Sequence, residues 1–230
     1  MNSIAGYTYD ISIWLIPVIL AITIHEASHG FVALRFGDDT ALQMGRVTFN
    51  PIRHIDPFGT IILPLMLLLA SNGTMTFGTA KPVPVNFSRL RPWRLGVVSV
   101  AFAGPGSNLI LALASALLLH LVPAAPASVA TWAVDILAAS IMINLILFFF
   151  NLIPIPPLDG GRILVAILPG NLARPVARLE RAGFIIILGA LFLLPLLGSQ
   201  LGVDLNVFNW IVGIPAFETM KWIVDLVGPR

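Results

Sequence analysis

The sequence predicts an all-α polytopic membrane protein with about five to six membrane segments and short β-hairpin or re-entrant elements on the cytoplasmic side. Three observations carry this expectation. Of the 230 residues, 57% are hydrophobic and only 10% charged, and mean hydropathy is +0.94, whereas soluble domains hold about 25% charged residues. Apolar runs recur at lengths near the roughly 20 residues that cross the hydrocarbon core as a helix. Basic residues gather on one set of loops, the asymmetry that orients membrane helices. A formal charge of +2, with its basic residues dispersed, gives nucleic acid no footprint. Cysteine is absent, so any metal must be held by nitrogen and oxygen ligands.

The membrane segments are expected near Ile11 to Phe36, Leu95 to Leu121 and Trp132 to Asn151, with a shorter one at Phe184 to Leu197. The first run continues past the apolar core of a signal peptide into His25 and Glu26, which marks a retained helix. Phe58 to Ala70 is either a short buried helix or one arm of a re-entrant element. After Asp204, Trp210, Phe217 and Trp222 mix with Glu218, Lys221 and Asp225 around Pro215, as in an interfacial amphipathic piece. The expected organisation is one membrane-embedded domain over 1–230, with a core at 11–168 and C-terminal helices at 183–227.

Orientation follows from charge. Eleven of the thirteen Lys and Arg residues fall after the first helix, before the Leu95 helix or after the Trp132 helix. Met1 to Asp10, Val122 to Thr131 and Ser199 to Asn206 hold none. The N-terminus is therefore expected outside, and the basic loops in the cytoplasm. Between the first two long helices, Gly45 to Asn50 and Thr74 to Val85 combine β-branched, aromatic and turn residues. They read as short strands or as a folded loop, and Pro82 and Pro84 limit the second to an edge, which could hold an extended peptide by backbone pairing.

The chemistry concentrates at His25-Glu26-Ala27-Ser28-His29. Residues four apart share a helix face, so both imidazoles can bind one cation, with Glu26 beside them to take a proton from a metal-bound water. Three ionisable side chains in one membrane helix cost several kcal/mol unless a metal, a partner or a cavity offsets them. Catalytic zinc usually takes three protein ligands and a water. The third candidate is Asp159, in Asn151-Leu-Ile-Pro-Ile-Pro-Pro-Leu-Asp-Gly-Gly-Arg162, where three prolines and a glycine pair place it on irregular backbone. Its competing role is a helix N-cap near Gly161; the ligand role is favoured because no other acid lies comparably deep on that side.

HEASH, Ala-Gly-Pro-Gly-Ser-Asn at 103–108 and the Asn151–Gly161 motif together resemble the site-2 protease family of intramembrane zinc metalloproteases, in a minimal form without PDZ or CBS domains. The resemblance spans the first helix to about Leu168. It implies one Zn2+ on His25, His29 and Asp159, Glu26 as the catalytic base, and substrate handling near Asn151 and Pro156. It also implies membrane-protein substrates cleaved in or beside their transmembrane segments within the lipid bilayer, after local unwinding. Asn108 and Asn144 lie in membrane helices, where they serve either as interhelical glue or as donors to substrate or oxyanion. Ser99, Ala103 and Ser107 suggest a small-residue packing face, and Gly104-Pro105-Gly106 a loosened stretch of helix. His54 reads as a loop histidine, and His120 lies towards the outer face. The alternative class, a membrane metal-ion transporter, predicts polar residues along a path through the membrane and related halves, neither of which this sequence shows.

Overall fold

The computed structural model describes residues 4–70, 78 and 80–227. The long apolar runs fold as helices because a backbone in lipid must satisfy its hydrogen bonds within the segment. α1 is Ile4–Arg35, ending in a turn at Gly37 whose φ of +97° suits glycine. A single turn, α2 (Thr40–Gln43), a 3-10 turn and a π turn at Pro57–Ile62 lead into α3 (Leu63–Ala70). α4 is Trp93–Leu118 and α5 is Ala127–Asn151. Three short helices follow, α6 (Asp159–Ile167), α7 (Gly170–Arg178) and α8 (Glu180–Leu188). A π turn joins α8 to α9 (Leu194–Leu201), and α10 (Ile214–Val227) ends the described chain.

Four of these stretches are long and apolar enough to cross a membrane: Ile11–Arg35, Trp93–Ala124, Ala127–Asn151 and Glu180–Leu201. They are the four predicted from sequence. The expected count of five to six exceeds this, because Phe58–Ala70 forms only the short π turn and α3, and the C-terminal stretch is diluted by charge. The expected β-hairpins are not seen among the described residues. Gly45–Asn50 forms a turn and bends, and 80–85 has no regular secondary structure; residues 74–77 and 79 lie outside the described set.

α1, α4 and α5 pack against one another, and the contact surface explains how closely. α4 buries Ala101, Gly104, Asn108, Ala112 and Ala116, a stripe of small residues that lets helix backbones approach where lipid removes the hydrophobic drive. The predicted stripe of Ser99, Ala103 and Ser107 lies beside it and is only half-buried. The helix runs unbroken through Gly104-Pro105-Gly106. One core joins Ala112, Ala116, Ile141, Leu145, Ala216 and Ile223 across α4, α5 and α10. A second, of Ala33, Leu90, Val97, Val100 and Ala166, ties the end of α1 to α4 and α6 beside the site.

The C-terminal part runs back along α5. The Phe208 ring lies 6.2 Å from that of Phe150 at one end, and His120 Nε2 donates to the Val227 carbonyl at 2.6 Å at the other. The Ser199–Asn206 loop, which holds Asp204 but no Lys or Arg, leads directly into this contact at Phe208.

Candidate metal centre

His25 and His29 project from the same face of α1, as their four-residue spacing requires. Their Nε2 atoms are 3.1 Å apart, and Asp159 Oδ2 lies 3.3 Å from one and 3.4 Å from the other. A tetrahedral zinc with arms of about 2.0–2.1 Å needs ligand atoms about 3.3 Å from one another. The three side chains are the metal-capable group among the described residues. Asp159 Oδ2 is buried without a hydrogen-bond donor, which is costly unless a cation satisfies it. The donor set, two imidazoles and a carboxylate, fits zinc.

The far nitrogen of each ring is engaged, and the partners fix the tautomers. His29 Nδ1 faces the Val100 carbonyl at 2.7 Å; a carbonyl only accepts, so Nδ1 carries the proton and Nε2 keeps its lone pair. For His25 the direction is set two side chains away. Asn144 Nδ2 donates to the Ser140 carbonyl at 2.9 Å, which leaves Asn144 Oδ1 to accept from Asn108 Nδ2, also at 2.9 Å. Asn108 Oδ1 must then accept from His25 Nδ1, at 2.6 Å. Its Nε2 is likewise free to ligate.

Asp159 opens α6, but the N-cap position belongs to Leu158 and carries no side-chain cap bond. The carboxylate faces the two imidazoles and makes no cap bond. Gly160 and Gly161 let the helix start press onto the backbone of Leu152 and Pro156, where no methyl fits. Gly104, on α4, has the same character on the opposite wall. A Cβ there would lie 2.5 Å from both His25 Nε2 and His29 Nε2, in the space the ion needs.

Glu26 stands outside the ligand triangle and lines both cavities that meet at the site. Its Oε2 accepts from the Val83 backbone N–H at 2.7 Å. One cavity, of about 230 Å³, runs from His25 and Glu26 along Ile22, Leu147, Phe150, Phe184 and Ile187 and is mostly apolar. The other, of about 150 Å³, includes all three ligands.

Asn151 lines both cavities while its amide donates to the Leu147 carbonyl at 3.0 Å. Pro156 lines neither; it is buried in the turn, and Pro157 and Leu158 take the place at the cavity wall. Asn108 and Asn144 are brought to the site through His25 and do not line either cavity. His54 is a buried loop residue facing the Thr48 carbonyl at 2.9 Å, and His120 binds the end of α10. Sequence reasoning missed Gly104, Val83 and the Val100 carbonyl. Gly104 had a signal: it sits four residues before Asn108, on the helix face that meets the histidines.

Comparison with known proteins agrees with this geometry. Residues 120–196 match Peptidase family M50. YwhC of Bacillus subtilis (strain 168) is 44% identical over 186 residues, or 79% of this chain and 80% of its own length. The chain belongs to peptidase family M50, the site-2 protease family. This M50 peptidase is a metalloprotease. Rip2 of Mycobacterium tuberculosis is 32% identical over 94% of the chain and 72% of its own length, and Rip2 of Mycolicibacterium smegmatis 29% over 91% and 72%. All three relatives carry the name "Putative zinc metalloprotease". The M50 match includes Asp159 and the turn that carries it. No solved structure matches the chain significantly.

Proposed function

We propose that this M50 peptidase holds one zinc on His25, His29 and Asp159 and hydrolyses peptide bonds in or beside transmembrane segments of membrane-protein substrates. The observation that carries the reading is the ligand triangle of 3.1 to 3.4 Å with a buried, unpartnered Asp159 Oδ2. Bound zinc supplies Lewis-acid polarisation of the scissile carbonyl and a water acidified towards neutral pH. The rest falls to the chain. Asn108 and Val100 orient the two imidazoles, so their lone pairs stay aimed at one point. Glu26 takes the proton of the attacking water and returns it to the departing amine.

The apolar cavity suits the side chains of an unwound membrane helix better than those of a soluble peptide. Asn151, at the junction of the cavities, is the group within reach of a substrate carbonyl freed by unwinding. Pro156 supports this from beneath, by shaping the turn that presents Pro157 and Leu158. Asn144 acts one bond further back, through Asn108. The site opens towards the basic, cytoplasmic end of the bundle, with the N-terminus outside.

Nothing in the structure favours the transporter reading. The deciding experiment compares wild type with Glu26→Gln in micelles, using a fluorophore-labelled single-span peptide with a glycine-rich centre. Cleavage vanishes in the variant while zinc stays near one per chain. Retained cleavage by Glu26→Gln removes the proposed base.

A further inference from the structure

Lys81 to Asn86 runs as an irregular strap beside the metal pocket, with Pro82, Val83 and Val85 in its wall. Pro82 and Pro84 fix its backbone near the extended region and remove two donors, so between them only Val83 offers an N–H. That N–H donates to Glu26 Oε2 at 2.7 Å. The Val83 side chain is buried against α1 at Gly30, one residue past His29. A Cβ at Gly30 would lie 3.3 Å from Val83 Cγ1 and 3.1 Å from Val47 Cγ2, so the glycine sets how closely the strap sits.

Three groups outside the strap fix its ends. Arg46, 6% exposed, donates from Nη2 to the Lys81 carbonyl at 2.6 Å and to the Pro82 carbonyl at 3.4 Å. The His54 carbonyl accepts from Lys81 N–H at 3.0 Å. Asp38, fully buried, accepts from Asn86 N–H at 2.7 Å and is itself held by the Thr40 amide and hydroxyl. A buried arginine and a buried aspartate spent on loop backbone indicate that the position of this loop matters, since burying charge is costly without such partners.

We propose that the strap is a positioning element for the catalytic carboxylate, with Val83 N–H as the donor that holds Glu26 and Arg46 and Asp38 as the anchors that hold Val83. The inference rests on the reading of Glu26 as general base. A glutamate side chain on its own samples several rotamers. A main-chain donor that is already fixed removes that freedom through a charge-assisted bond and leaves Oε1 to face the cavity. Val83 acts through Glu26 and is not itself catalytic.

The test uses the zinc-loaded full chain and the labelled single-span peptide, comparing Val83→Pro with Val83→Ala. Both lose the valine side chain, and only the proline loses the N–H. The expected kcat of Val83→Pro is about tenfold below that of Val83→Ala, the loss typical of one hydrogen bond to a charged group, with equal KM and equal zinc. Equal kcat in the two variants overturns the proposal. So does a rise in KM alone, which would make the strap amide a partner of the substrate backbone, and so does loss of zinc in Val83→Pro. Arg46→Gln should lower kcat in the same way, and Arg46→Lys should recover part of it; wild-type kcat in Arg46→Gln removes the anchor. Failure of the underlying reading shows separately, as cleavage that survives Glu26→Gln.

Discussion

Asn108 Oδ1 accepts the Nδ1 proton of His25 across 2.6 Å and joins α4 to a proposed metal ligand 83 positions earlier in the chain. The bond is fully buried and, through Asn144, is directed by a backbone carbonyl.

Asn108→Ala should weaken zinc binding by about 10–100-fold, the usual range for removing a partner of a metal-bound histidine. Asn144→Ala should weaken it less, because His25 keeps its acceptor and loses only the group that orients that acceptor. Competition with a chromophoric chelator measures both, and equal affinity in Asn108→Ala and wild type would show that the bond does not orient the ring.

Gly104→Ala should lose zinc while the helical circular dichroism signal persists. The added methyl falls 2.5 Å from both ligating nitrogens, and it is anchored on the backbone of a packed helix that has no room to retreat. Ala103→Gly, on the half-buried side of the same helix, serves as the comparison and should keep its metal. Full zinc in Gly104→Ala would mean that the histidines open outward when the ion binds.

Chelation should stop cleavage without unfolding the protein, and zinc should restore it. The principal core lies among α4, α5 and α10, away from the ligands. Loss of the helical signal on chelation would make the metal structural, as in small zinc domains that fold only when loaded.

Topology is open to direct labelling because the chain has no cysteine. Arg178→Cys and Ser128→Cys, both exposed, should react with a membrane-impermeant maleimide from opposite sides, Arg178→Cys from the cytoplasm and Ser128→Cys from outside. Labelling of both from one side would reverse or collapse the proposed orientation.

Much of the site was legible because its chemistry is tied to local spacing. The two histidines are four residues apart on one helix, and that periodicity alone puts them on one face. Asp159 was identifiable because prolines and glycines announce an irregular turn at the end of a membrane helix. The roles of Asn108 and Asn144 were left open, since sequence does not reveal which polar atom faces which across two helices. Segments 45–50 and 74–85 were open between strands and a folded loop, and their described residues form no strand, for a related reason. Valine and threonine favour extended backbone, but a strand needs a partner, and Lys81–Asn86 spends its hydrogen bonds on Arg46, Glu26 and Asp38. The C-terminal path was hidden because an aromatic contact such as Phe150 with Phe208 has no periodic signature.

Gly183, in α8, presses against the Pro156 carbonyl so tightly that no methyl could be inserted between them. Pro156 lies three residues before Asp159, and Phe184 and Ile187 of the same helix wall the apolar cavity. α8 therefore packs both on the turn that carries Asp159 and along the apolar cavity. Bulk added at Gly183 would displace the very turn that ends in Asp159.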